Sequence, residues 1–197
     1  MKLDSKLYKT ADFIYKMILI NILMIVGSLG VFTIGASISA AFLICIKLID
    51  GEDIYIVREF FSVYKKKLIS GSLITVIFLL IFGLLSYNIG IITQNRLFIY
   101  LNYFLKLHLT TTMFLSLFVI ARSDIKIKTA IIYSFGIINK NLYVVIPFLV
   151  IPYLHMILIK YLFIVFVLFG GSVTMLISTV IFYPLLKKME MRKINGK

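Results

Sequence analysis

Apolar runs about as long as a bilayer is thick alternate along this chain with short basic segments. A helix rising 1.5 Å per residue needs about 20 residues to cross a ~30 Å hydrocarbon core. Runs of that kind occupy 13–32, 68–92, 97–121, 142–159 and 161–186. A further run at 33–47 is short for a full crossing, and only the stretch around Gly30 and Gly35 leaves room for a turn before it. The pattern predicts an all-α integral membrane helical bundle of about six transmembrane helices. The first two form a hairpin over 13–47, whose second member either crosses fully or is re-entrant.

Two connections are too patterned for plain loops. Ile54, Val57, Phe61, Tyr64 and Leu68 recur at helical spacing, with Arg58, Glu59, Lys65 and Lys66 on the other positions. Ile127, Ile131, Phe135 and Ile138 repeat the arrangement over 127–141. Both predict cytoplasmic amphipathic helices lying at the interface, apolar face in the lipid and lysines near its phosphates. Each precedes a span outward and a span inward, giving two units, 54–121 and 124–186, within a single membrane domain covering 1–197. Phe61, Lys66 and Leu68 fall opposite Phe135, Lys140 and Leu142. This suggests a parallel duplication, although shared amphipathicity alone produces the same few matches.

Charge sets the direction. With the N-terminus inside, every lysine and arginine except Lys106, Arg96 and Lys160 falls in a cytoplasmic segment, from Lys2 through the 47–67 and 122–140 connections to Lys197. Short basic loops stay in the cytosol, so both termini are expected there. Omitting the 33–47 span alone would invert every later loop. The net charge of +13 does not point to nucleic acid, because the lysines flank apolar runs instead of forming one basic face. Arg58, Lys65, Lys66, Lys67, Lys126, Lys128 and Lys140 are instead the expected lipid-interface cations, and membrane lipids the expected partners.

Composition agrees. The chain is 61% hydrophobic with a mean hydropathy of +1.06, against roughly 45–50% apolar residues for soluble domains. The basic start leads into an apolar run with no small-residue cleavage site, so it reads as a first span and not a removable leader. A lone Cys45 gives neither a disulfide nor a thiolate metal site.

Within the spans, Gly35/Ser39 and Ala36/Ala40 stack small residues four apart, the spacing that lets helix backbones approach closely. A pore lined by Thr33, Ser37 and Ser39 is the competing reading. No acid falls mid-membrane, which counts against an ion-coupled pump. No nucleophile elbow, metalloprotease helix or phosphate loop is present, and neither enzymatic chemistry, a cofactor nor a metal is expected. Lys106 on the fourth span either snorkels toward the outer surface or helps Asn102 and His108, with His155 and Lys160, form an outward pocket for an anionic ligand.

The segments SLGVFTIGASISAAF at 28–42 and EFFSVYKKKLISGSL at 59–73 resemble the YesL-like family of bacterial membrane proteins, a domain family of unknown function. The likeness rests on Thr33, Gly35 and Ala36 in the turn after the first span, and on Phe60, Phe61, Lys65 and Lys67 later. It implies residence in a bacterial cell membrane. Members are encoded beside carbohydrate ABC importers, implying an accessory role in uptake with importer subunits as partners, and supply no catalytic residues. A small facilitator or channel with a polar site on the fourth span is the alternative. Oligomeric state is not legible.

Overall fold

The computed structural model describes residues 6–91 and 96–195, so expectations placed on Lys2, Ile92 and Lys197 lie outside the described residues. Among those described the chain is helical, without strands. Helix α1 (Lys6–Gly27) reverses through a 3-10 turn at Val31–Thr33 into α2 (Ile34–Ile49); α3 (Ile56–Ile91) and α4 (Arg96–Arg122) follow. Helix α5 (Ile127–Lys140), a second 3-10 turn at Leu142–Val145, α6 (Ile146–Tyr161) and α7 (Phe163–Asn195) complete the order. Six helical stretches are long and apolar enough to cross a membrane.

Helix α2 lies at the centre and touches α1, α3, α4 and α7. Its small residues allow this. A Cβ on Gly71 of α3 would fall 2.6 Å from the Ala36 nitrogen and 2.7 Å from the Gly35 carbonyl carbon, and a Cβ on Gly35 would strike the Gly71 carbonyl. The two backbones therefore touch, which only glycine at both positions permits. Around this crossing, Phe42 packs edge-on against Phe118 at 5.3 Å between ring centres, and Phe118 meets Phe182 of α7 at 5.7 Å. Phe42, Phe60, Phe78, Phe118 and Phe182 are buried almost completely.

Two features differ from the sequence expectation. The predicted interfacial helix at 54–68 and the span after it are one helix, α3, 36 residues long, or about 54 Å. No proline stands near Leu68, the lysines around it are good helix formers, and the single Gly71 costs a helix only about 1 kcal/mol, which its packing against α2 offsets. The stripe expected to face lipid is left largely uncovered, and the opposite face is packed. Val57, Phe61 and Leu68 remain exposed, whereas Ile56, Phe60, Val63, Lys67 and Ile74 are buried.

The second connection is a separate helix, but it does not lie across the end of the bundle. His108 Nε2 of α4 sits 3.0 Å from Asn139 Oδ1 of α5. Both residues lie about 20 Å of helix from the connection that joins α4 to α5, so α5 runs back alongside α4. It stops because the Asn141 side chain donates to the Ile137 carbonyl at 2.8 Å, with its backbone at φ −136° and ψ 60°. Pro147, with no N–H and a ring that obstructs the carbonyl four residues earlier, prevents the helix from resuming sooner.

Candidate functional site

One end of the bundle carries a belt of paired polar groups. Lys47 Nζ, on the last turn of α2, donates to Glu59 Oε1 of α3 at 2.5 Å. In the connection after α4, Asp124 accepts from Lys66 at 2.7 Å and from Lys67 at 2.6 Å, and Lys67 also donates to the Ser123 carbonyl at 3.2 Å. The hydrogen bonds from these two ammonium groups hold the Asp124 carboxyl well below its usual range, at about 2. Across the bundle, the Tyr183 hydroxyl donates to Asp50 at 2.8 Å while the Arg122 guanidinium lies over the Tyr183 ring, 5.3 Å from its centre. These contacts join α2, α3, α4 and α7 at the end where the sequence places its positive charge.

The expected lipid-interface cations separate into groups. Arg58, Lys65, Lys66, Lys126 and Lys128 are exposed near this end. Lys67 is not, since its side chain is 8% exposed. It occupies a helix position between Val63 and Gly71 that faces α4, and the first residue after α4 able to neutralise it is Asp124. Lys140 is exposed but sits at the opposite end of α5 from Lys126 and Lys128.

The five residues expected to form an outward pocket do not come together. The Asn102 amide donates to the Leu85 carbonyl of α3 at 3.0 Å. His108 bonds Asn139, and its ring lies 5.3 Å from that of Phe135. His155 Nε2 is 2.9 Å from the Thr174 hydroxyl of α7, with Phe166 against its ring. Lys160 is exposed and lies over the Tyr161 ring, and Lys106 is half-buried on α4. Among the described residues no hydrogen bond, ion pair or ring contact links any two of the five. Three of them are struts between neighbouring helices. A small cleft of about 140 Å³ does open beside His155, but Ile151, Leu154, Val165, Phe169, Val173 and Ile177 make its lining apolar.

Gly35, Ala36, Ser39 and Ala40 are all buried inside the bundle, so this surface contacts the chain's own helices. The Ser39 hydroxyl donates to the Gly35 carbonyl at 2.8 Å and lies 3.4 Å from the Leu117 carbonyl of α4. Ser37 is likewise committed, donating to the Met24 carbonyl at 3.0 Å. Thr33 is the half-exposed hydroxyl of the turn, 2.8 Å from the Gly27 carbonyl.

Asn21 is the polar residue that sequence reasoning passed over. It is 3% exposed within α1, donates to the Val167 carbonyl of α7 at 2.6 Å and accepts from the Ser172 N–H at 3.1 Å. Gly171 leaves room for it, since a Cβ there would fall 2.5 Å from Asn21 Oδ1. An asparagine midway along an apolar run was the available signal, because an amide in hydrocarbon requires a partner.

Six apolar helices around a buried aromatic core define a multi-pass helical membrane protein. Within it, residues 17–89 match a family described as "Protein of unknown function, DUF624", which is the YesL-like family. The matched stretch covers the second half of α1, all of α2 and all but the end of α3, including the Gly35–Gly71 crossing. No curated protein and no solved structure matches the chain.

Proposed function

We propose that this chain is a non-enzymatic accessory subunit of a membrane transport complex, in the setting of carbohydrate uptake through an ABC importer. The observation that carries the reading is where its intramembrane polar groups are spent. Asn21, Asn102, His108 and His155 each bond a neighbouring helix. Groups consumed in holding a bundle together serve a scaffold, whereas a conduit needs them facing a shared path. The carbohydrate setting rests on the family likeness alone.

The surface offered to a partner is at the polar end. There a cleft of about 470 Å³ between α1 and the connection before α3 is lined by Tyr8, Asp12, Tyr15, Lys16, Asp53 and Tyr55, with Asp12 paired to Lys16 at 2.7 Å. Aromatic rings beside the Asp53 carboxylate and the Asp12–Lys16 pair suit a polar, partly apolar segment of another subunit. Purification of the tagged chain in mild detergent is expected to bring importer membrane subunits with it, and Asp53→Lys to reduce their recovery. Sugar flux through vesicles containing this chain alone would overturn the proposal and favour a facilitator.

A further inference from the structure

Where α4, α5 and α7 meet at the basic end, a cleft of about 300 Å³ opens to the surface. Part of its wall is apolar, the buried Val119 and Leu186. The polar part is Arg122 at the end of α4, with Thr129 and Tyr133 one turn apart on α5. The volume falls at the lower end of the ~300–1,000 Å³ found for ligand cavities. Two stretches long and apolar enough to cross a membrane end at Arg122 and at Lys187. The cleft therefore sits at the height where hydrocarbon gives way to headgroups.

Its charge has one sign. Among the described residues no carboxylate lines the cleft. Asp124 accepts from Lys66 and Lys67 of α3, and Asp50 accepts from the Tyr183 hydroxyl. Lys126 and Lys128, close to Thr129 in sequence, are exposed and raise the local positive potential. The Arg122 guanidinium lies over the Tyr183 ring, 5.3 Å from its centre. Such stacking engages the flat face and leaves the N–H edge, whose fork matches two oxygens of one oxyanion. Thr129 is exposed, and its hydroxyl donates to no described residue. The first turn of α5, to which it belongs, has neither a side-chain cap nor an acidic residue, so the positive end of that helix adds to the attraction.

An occupant must carry negative charge and several acceptor oxygens, and at this height it must meet hydrocarbon on one side. Ile125 lines the cleft and is exposed, which gives apolar contact to a chain leaving it. A phosphate ester satisfies the first demand, and only a lipid-borne one satisfies the second. We propose that the cleft binds the phosphate of an anionic phospholipid in the basic-side leaflet, with Arg122 and Thr129 donating to its oxygens. The surrounding lysines favour a headgroup without an ammonium group of its own.

Native mass spectrometry of the full chain in mild detergent, titrated with phosphatidylglycerol or phosphatidylcholine of equal chain length, tests this. Phosphatidylglycerol should bind about tenfold more tightly. Arg122→Gln should weaken it about tenfold, the worth of one charge-assisted hydrogen bond, and Thr129→Val about threefold, the worth of a neutral one. Arg58→Gln removes the same charge from an exposed position on α3 outside the cleft, and should leave binding unchanged. Equal losses from Arg58→Gln and Arg122→Gln would reduce the effect to diffuse attraction and overturn the proposal. Parent-strength binding by Arg122→Gln would overturn it as well. Should that variant not fold, parent-strength binding by Thr129→Val decides in the same way. Glycerol phosphate binding as tightly as the lipid would make the ligand a soluble ester, and the lipid assignment would fall.

Discussion

The two units of the chain begin alike and end differently. Ile56–Ile91 is one unbroken rod, whereas a stretch of almost equal length, 127–161, is divided into α5, a 3-10 turn and α6. At the offset that aligns Phe61 with Phe135, Leu73 falls opposite Pro147 and Lys67 opposite Asn141. In the first unit those residues continue a helix and reach across to Asp124. In the second, the asparagine closes α5 on itself and the proline fixes where α6 begins. At this offset, two positions carry residues that continue a helix in one stretch and interrupt it in the other. The partners differ accordingly, since α3 lies against α2 through glycine and α5 lies against α4 through His108 and Asn139.

Glycine substitutions should separate the units most sharply. Gly71→Leu forces a side chain into the backbone of α2 and is expected to abolish a monodisperse species on size exclusion in detergent. Gly136→Ala in α5 meets nothing within 4 Å and should leave thermal stability unchanged or raise it by up to about 1 kcal/mol, the alanine advantage in a helix. The next largest effect is conformational. The double substitution Asn141→Lys with Pro147→Leu copies the first unit, and spin labels at the exposed positions Ile132 and Met156 should separate toward the ~36 Å of a continuous helix. An unchanged distance would show that tertiary packing, and not those two residues, makes the elbow.

Smaller still is the loss of the α4–α5 strut. His108→Leu should lower unfolding stability by about 1 kcal/mol, read by thermal scanning in detergent, whereas Lys106→Leu should change abundance little. The least effect is expected at the exposed Asp124. Its carboxyl is held at about 2, below the ~3.9 of an unfolded chain. Its contribution is therefore complete above that unfolded value and disappears as pH falls through the window between them. Asp124→Asn should remove this acid-side slope and lower stability by a constant amount above about pH 5, read by thermal scanning across pH.

Helix positions and the close-packing role of Gly35 were legible because apolar run length and small-residue spacing are local signals. The partner glycine was not, since Gly71 lies in a segment whose lysines suggest an interfacial helix and whose backbone contact depends on tertiary approach. The proposed pocket failed for a related reason. Asn102, His108 and His155 carry polar groups that sequence cannot assign between a ligand and a neighbouring helix, and in the folded chain helix neighbours hold all three. Asn21 and Asp124 were readable as residue types, but their counterparts on α7 and α3 are distant in sequence.

The glycine contact between α2 and α3 has a mechanical corollary. Neither residue has a side chain to interlock there, so the contact can serve as a fulcrum with a lever of about 30 Å beyond it. Rotating α3 by 5° about that point would move its distal end by about 2.6 Å, enough to disturb the Asn102 bond to Leu85. A load applied at Glu59 or Lys67 on the basic side would then reach the Asn102–Leu85 bond near the opposite end of α3.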